Sequence, residues 1–582
     1  MNPPKLLLSL FWHMHQPDYR DSISGEYVLP WTYLHAIKDY SDMAHHLEVN
    51  VKARVSFNYV PILLDQLEDY VTQFKTGKIR DPLLAMLGKD NLDGLAPDQC
   101  QLIIESCFKS HHEKMLAPYA QYQRLYHLYQ VASQSGEDMN LQYFSGQYKA
   151  DLLVWYHMAW MGESIRRNNK LVQLLVIKGS HFSYQDRRAL FDLIGEVIAD
   201  LIPRYKALQQ KGQIEISSTP HYHPILPLML DFNSTLDAMP IGSLPQSAQY
   251  SGGEVRAIAH IKEAQASHER RFGIKPVGMW PAEGAVSKRS LSLMAQHGVQ
   301  WAASGEAVLT NSLHKSNPNK ALVSRHEYLY KPYKVSDGKN EIVCFFRDDR
   351  LSDKIGFEYS KMHSTDAVRD FIQTLEHIHD TYQKLENPVV SVILDGENAW
   401  EYYPYNGYYF LTELYEALAN HPNIEMVTQS EILQAIKTPE KSPFKILCES
   451  LPEISAGSWV YGTFSTWIGS VDKNRGWDLL CDAKKAYDIV MKSGKLNEKE
   501  KKLCEDQLSV CEGSDWFWWL GDYNSAASIS SFDRLYRRNL TNLYVLLKQP
   551  IPICLAAPIS KEDVPSQAND GFSGTMKRGQ EN

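Results

Sequence analysis

Residues 277–287 read VGMWPAEGAVS, and the rest of the chain is organised around this stretch. Val277 to Trp280 is a short apolar run stopped by Pro281, the pattern of a buried strand too short to be a helix. Glu283 follows three residues after Trp280, with the small residues Gly284 and Ala285 next. A carboxylate at the mouth of a buried strand, against an indole, is costly to place for structure alone. The alternative is a glutamate serving a helix dipole, since the residues from Ser287 onward read as helical. The neighbouring segments decide between the two.

Six further runs of strand length flank this one: 5–12 (KLLLSLFW), 53–59 (ARVSFNY), 213–218 (QIEISS), 299–303 (VQWAA), 341–346 (EIVCFF) and 388–394 (PVVSVIL). Helical periodicity separates most of them, as at 254–271, 288–297 and 364–385, so the pattern predicts an α/β fold with a parallel sheet closed or nearly closed into a barrel. Nearly every run hands over at its C-terminal end to a polar residue: His13 and His15, Asn58, His221 and His223, Glu283, Glu306, Arg347, Asp395. In a β/α barrel that is the face where chemistry is built; a purely structural sheet predicts no such bias.

Between about 60 and 211 the periodicity is helical, with amphipathic stretches such as 113–133 and 187–211, so this span is expected to be a large insertion rather than a connection. After about 435 the character changes. A polar, proline-containing linker (438–444) leads to an aromatic loop, 457–469 (GSWVYGTFSTWIG), and to helices at about 478–494 and 498–511. A second aromatic loop, 512–522 (EGSDWFWWLGD), precedes a helix at 527–547. The expected organisation is therefore a catalytic barrel over 1–435, a helical region over 436–558 and a disordered tail over 559–582.

Net charge excludes some partners. At −9, the chain is not built for nucleic acid or an anionic membrane. The eight cysteines show no zinc spacing and fit a reducing compartment. The run after Lys5 lacks a signal-peptide pattern, and no stretch approaches the ~20 apolar residues of a membrane span, so a cytoplasmic enzyme is expected. The 13 Trp and 33 Tyr supply flat apolar faces with polar edges, which suit both sugar rings and large cores.

Glu283 and Asp395 are the candidate acid pair, because glycoside cleavage needs one carboxylate and one carboxylic acid on opposite sides of the bond. Glu397, two residues beyond Asp395, reads as a group that orients a neighbour. His13 and His15 lie on one side of a strand end. They bind either a polar substrate or, with further ligands the spacing does not reveal, a metal; no metal or other cofactor is expected. Arg347, Asp348 and Asp353 are either substrate ligands or an ion-paired strand end. Trp459 and Trp467 suit stacking on sugar, whereas Trp516, Trp518 and Trp519 serve equally well to pack the helical region onto the barrel.

Taken together, His13–Pro17 (HMHQP), 212–227 (GQIEISSTPHYHPILP), 278–286 (GMWPAEGAV), 394–401 (LDGENAWE) and the loop 457–469 resemble, in order, the motifs of family 57 of the glycoside hydrolases. The resemblance implies an incomplete (β/α)7 barrel with a helical C-terminal region and a retaining mechanism on α-linked sugars. It implies Glu283 as nucleophile and Asp395 as acid/base, with His13, His15, His223, Trp280 and Trp459 or Trp467 lining the pocket. The stretches 345–359 and 512–519 look like the family's α-amylase and amylopullulanase branch, which implies α-1,4 or α-1,6 cleavage of starch, glycogen or maltodextrin. Two departures, Gly521-Asp522-Tyr523-Asn524 and Ser304-Gly305, put outer binding contacts in doubt. Transfer to a sugar acceptor, a metal-dependent hydrolase and a non-catalytic glucan-binding protein are the alternatives.

Overall fold

The computed structural model describes residues 4–133, 141, 144–319, 323–382, 386–397 and 399–560. Its strands are β1 (Leu6–Met14), β2 (Val55–Tyr59), β3 (Ile214–Ser218), β4 (Trp301–Ser304), β5 (Tyr333–Ser336), β6 (Glu341–Phe346), β7 (Val389–Asp395), β8 (Ile424–Met426) and β9 (Glu449–Ser450). One sheet runs β3-β2-β1-β7, with β8 beside the N-terminal half of β1; the other runs β4-β6-β5-β9. Six of the expected strands are present, and β5, β8 and β9 are additional. The seventh, 277–280, forms only single bridges, Ser218 with Met279 and Gly278 with Trp301. A further bridge, Arg347 with Ser391, joins β6 to β7. Parallel pairing thus passes β1, β2, β3, 277–280, β4, β6, β7 and back to β1.

All nine residues of β1 are buried, which is why its sequence is a continuous apolar run. Side chains alternate across a strand. Leu7, Phe11, Val389 and Ile393 turn into an inner core with Trp280, Trp301 and Phe345, while Leu6, Leu8, Leu10 and Trp12 join the larger core outside. Gly278 is required where the bridging segment crosses β4: a Cβ there would lie 1.9 Å from the Trp301 ring.

The span from Pro61 to Gln210 is built of successive helices joined by short turns and loops, with no strand among its described residues, as its periodicity predicts. Its longest helix, Tyr184–Gln210, begins in a reciprocal cap between Ser183 and Asp186. Helices also form at Gly253–Phe272, Lys288–Gln296, Ser364–Thr381, Val471–Lys492, Glu498–Cys511 and Ala526–Leu546. Most of the expected tail lies outside the described residues. Among the described residues, no helix is long and apolar enough to cross a membrane.

Candidate active site

Strand register builds the first row of the site. His13 is paired with Asn58 of β2 on one side and Asp395 of β7 on the other, and Asn58 with Ser217 of β3. Because Leu7, Phe11, Val389 and Ile393 face the inner core, the two-residue period puts His13 and Asp395 on that face, one layer above. The Asn58 side-chain oxygen accepts from the Thr219 hydroxyl at 2.8 Å and lies 2.7 Å from His13 Nδ1, so that nitrogen carries the proton. Burial, then neighbouring His15, pushes the His13 imidazole down to about 3 despite the Asn58 hydrogen bond, so the ring is neutral at physiological pH.

Glu283 is placed by backbone. It sits in a one-turn 3-10 segment, Ala282–Gly284, with φ 58°, the left-handed region that a non-glycine residue rarely adopts. The carboxylate is buried, and its Oε2 accepts from Trp459 Nε1 at 3.1 Å. Gly457 pairs antiparallel with Val286, which lays the C-terminal aromatic loop over the acid. Burial, followed by the charges of Asp395 and Asp515, raises the Glu283 acid well above the usual carboxylate range. The two acids therefore lie close enough to interact electrostatically.

Three histidines stand beside this pair. His15 and His223 stack with ring centroids 3.9 Å apart, and His13 lies 5.2 Å from His223. His15 Nε2 lies 2.9 and 3.0 Å from the Asp515 oxygens, and His223 Nδ1 lies 2.8 Å from Ser514 Oγ. Trp280 borders the group 6.0 Å from His13, with Trp459 5.0 Å further on at 73°. Four buried polar atoms here lack a protein partner: His15 Nδ1, His223 Nε2, Trp280 Nε1 and Glu397 Oε2. A hydroxyl-rich ligand can satisfy each of them.

Ligand atoms of His15, His223 and Asp515 lie within 4.8 Å of one another, the distance a shared metal would need. The two rings are nearly parallel, 25° apart, and an imidazole lone pair lies in its ring plane. Stacked lone pairs run side by side instead of converging on a tetrahedral ion, and His13 is not in the group. The donor set fits hydrogen bonding better than metal ligation.

The remaining expected residues divide. Glu397 is buried, accepting from the His15 backbone N–H at 3.1 Å and the Tyr40 hydroxyl at 3.3 Å. Burial, then Asp395, pushes its acid well above the usual range. Arg347 is an ion-paired strand end: it donates to the Ile393 carbonyl, Asp349 and Asp353, each at 2.8 Å, and lies over the Trp459 ring at 5.6 Å. Asp348 caps the turn at Leu351 and pairs with Arg325. Trp467 is fully buried, 6.0 Å from Trp518, and its Nε1, like that of Trp280, has no protein partner. Trp516 and Trp519 stack on Tyr536 and Phe532 of the last long helix. Sequence reasoning missed Asn58's role, Ser514 and Asp515; only the polar ending of 53–59 hinted at the first, and no spacing links 515 to 15.

In fold, the chain is similar to the branching enzyme of Thermococcus kodakaraensis (14% identity, all of both chains, TM-score 0.57). It is also similar to the α-amylase AmyC of Thermotoga maritima (14% identity, 94% of each chain, TM-score 0.53) and to the branching enzyme of Pyrococcus horikoshii (13%, all of both chains, 0.52). No curated protein sequence matches it. The model of glycosyl hydrolase family 57 matches residues 9–445, and the chain with Glu283 and Asp395 at the ends of its inner strands belongs to that family.

Proposed function

We propose that this chain is a retaining hydrolase of α-glucans, cleaving α-1,4 and, in branched substrates, α-1,6 glucosidic bonds. The observation that carries this reading is that buried Glu283, held by Trp459, and Asp395, in register beside His13, border one site walled by Trp280, Trp459 and three histidines. With the one proton that the coupled pair shares residing on Asp395, the Glu283 carboxylate attacks the anomeric carbon as Asp395 gives that proton to the departing glycosidic oxygen, leaving a covalent glycosyl-enzyme. Asp395, now a base, takes a proton from water as that water displaces Glu283 with overall retention. His13, His15 and His223 orient the ring hydroxyls. The ring of parallel segments is the incomplete (β/α)7 barrel of residues 1–435, with 436–558 completing the cleft. Eight free thiols support a reducing, cytoplasmic setting.

Transfer to a second sugar is the other reading that an observation favours: Glu283 is only 4% exposed under Trp459, and a site that excludes water lets a sugar acceptor compete. Incubation with maltoheptaose, with products separated by size and the first anomer read by NMR, tests both. Shorter sugars released first as the α anomer support hydrolysis with retention; longer sugars as well support transfer. β-Anomeric products or an untouched substrate would overturn the proposal.

A further inference from the structure

The connection that begins at Asp395 ends in a cluster of tyrosines on the surface. Tyr405 and Tyr409 are 56% and 42% exposed, with centroids 5.5 Å apart and rings at 87°; Tyr408, half-buried, stands 5.7 Å from Tyr409. Arg167, from the short helix Glu163–Asn168, lies 4.7–5.8 Å from all three ring centroids and donates to the Tyr409 hydroxyl at 2.8 Å. Two adjacent exposed rings under one guanidinium present a contiguous aromatic surface to solvent.

The cluster is held in place at some cost. Tyr405 and Asn406 both have φ 54°, the one pair of consecutive non-glycine residues at positive φ among the described residues. Asp42 locks the turn from beneath, accepting from Asn406 Nδ2 at 3.0 Å and from the backbone N–H groups of Glu163 and Ser164 at 2.7 and 3.0 Å. A strained, braced turn that holds an aromatic ring out in water gains nothing for the core.

We infer that Tyr405, Tyr409 and Arg167 form a surface site for a neutral polysaccharide chain, an α-glucan, separate from the catalytic pocket. Arg167 is already met by Glu163 at 2.7 Å, so the patch offers no unpaired charge to an acidic ligand. Each ring carries a hydroxyl, and Pro404 is the other exposed apolar residue on this turn, so the chemistry matches the flat face and hydroxyl rim of a sugar ring. Naming the chain as α-glucan rests on the proposed function.

Native electrophoresis of the full chain through gels with and without amylopectin tests the site, beside kcat/KM on maltoheptaose. The parent should be retarded, and Tyr405→Ala/Tyr409→Ala should lose about tenfold in apparent affinity for amylopectin while its kcat/KM on maltoheptaose stays within about twofold. Should the double variant fail to fold, Tyr405→Ala alone removes only a mostly exposed ring and should still lose severalfold. Equal retardation of parent and variants, a parent that is not retarded, or retardation by a sulfated polysaccharide in place of amylopectin would each overturn the inference. The two readings also separate. Loss of retardation in a chain that leaves maltoheptaose intact keeps the surface site and fells the catalytic reading; hydrolysis with equal retardation does the reverse.

Discussion

The two aromatic segments of the C-terminal region, 457–469 and 512–522, have similar compositions and opposite uses. In the first, Trp459 stays half-buried, donates to Glu283 and lies beneath Arg347. In the second, every indole goes inward: Trp516 stacks on Tyr536 with planes 8° apart and Trp519 on Phe532 at 7°. That segment serves the site instead through Ser514 and Asp515, which hold His223 and His15. Its first residue, Glu512, accepts from Arg256 at 2.9 Å and His260 at 2.7 Å, clamping it to the helix Gly253–Phe272. Burial pushes the Glu512 acid up, but Arg256 and His260 outweigh this and hold it at about 2. The lesson is that a tryptophan's neighbours decide its use: a ring beside a buried acid becomes part of a site, and one beside a helix face becomes core.

The largest effect expected from this contrast is on stability. Trp516→Ala should remove about 3–5 kcal/mol, the range for truncating a buried large aromatic, seen as a lowered denaturation midpoint. A variant that folds normally and only loses activity would move Trp516 into the site and break the contrast.

Trp459→Ala should leave the melting temperature nearly unchanged and reduce kcat/KM on maltodextrin by about 1–3 kcal/mol, from lost stacking and packing. It also removes a hydrogen bond that favours ionised Glu283. The acid limb of the pH–rate profile, where protonation removes the nucleophile, should therefore move to higher pH. Unfolding of this variant would assign the ring to the core.

Asp515→Asn should act in the opposite direction. Asp515's charge helps raise the Glu283 acid, so removing it lets Glu283 ionise at lower pH, and the acid limb should move down. The amide oxygen can still accept from His15, so the fold should survive. An acid limb that stays put would mean that the second segment contributes only packing.

The smallest effect is expected at Glu397. With Oε1 taking three hydrogen bonds, Oε2 unpartnered and burial opposing ionisation, its neutral form is favoured. Glu397→Gln preserves a neutral group of the same shape, so activity should stay within about threefold and the basic limb, which the proposed role of Asp395 as acid assigns to that residue, should not move. A basic limb shifted to lower pH would show that Glu397 is ionised and that its charge holds the Asp395 proton.

Period and punctuation made much of this legible in the sequence. Apolar runs that end in His13, Asn58, Arg347 and Asp395 located the inner strands within a residue or two, because a strand buried on both faces has no room for polar side chains until it emerges. The helix expected at 498–511 lies at Glu498–Cys511, where Asn497 caps Glu500 reciprocally, a local signal. The run 277–280 lies between β3 and β4 as its composition predicts, but makes a single parallel bridge to each in place of a continuous ladder. Strands β5, β8 and β9 are short and half-polar, and pairing partners define them more than pattern does.

What local sequence determined, then, was which side chains end up at the mouth of the inner strands, since strand period and burial act over a few residues. What the tertiary structure decided was which of them meet. The pairing of His15 with Asp515 spans 500 positions. The left-handed backbone at Glu283 and the tie from Trp459 to that acid depend on a loop arriving from 176 positions away. Arg347 was one of two equal readings until its ion pairs with Asp349 and Asp353 formed. The outward placement of Tyr405 and Tyr409 depends on a turn braced by Asp42, 364 positions away from Asn406. Contacts of that kind are set by long-range packing, which carries no period along the chain.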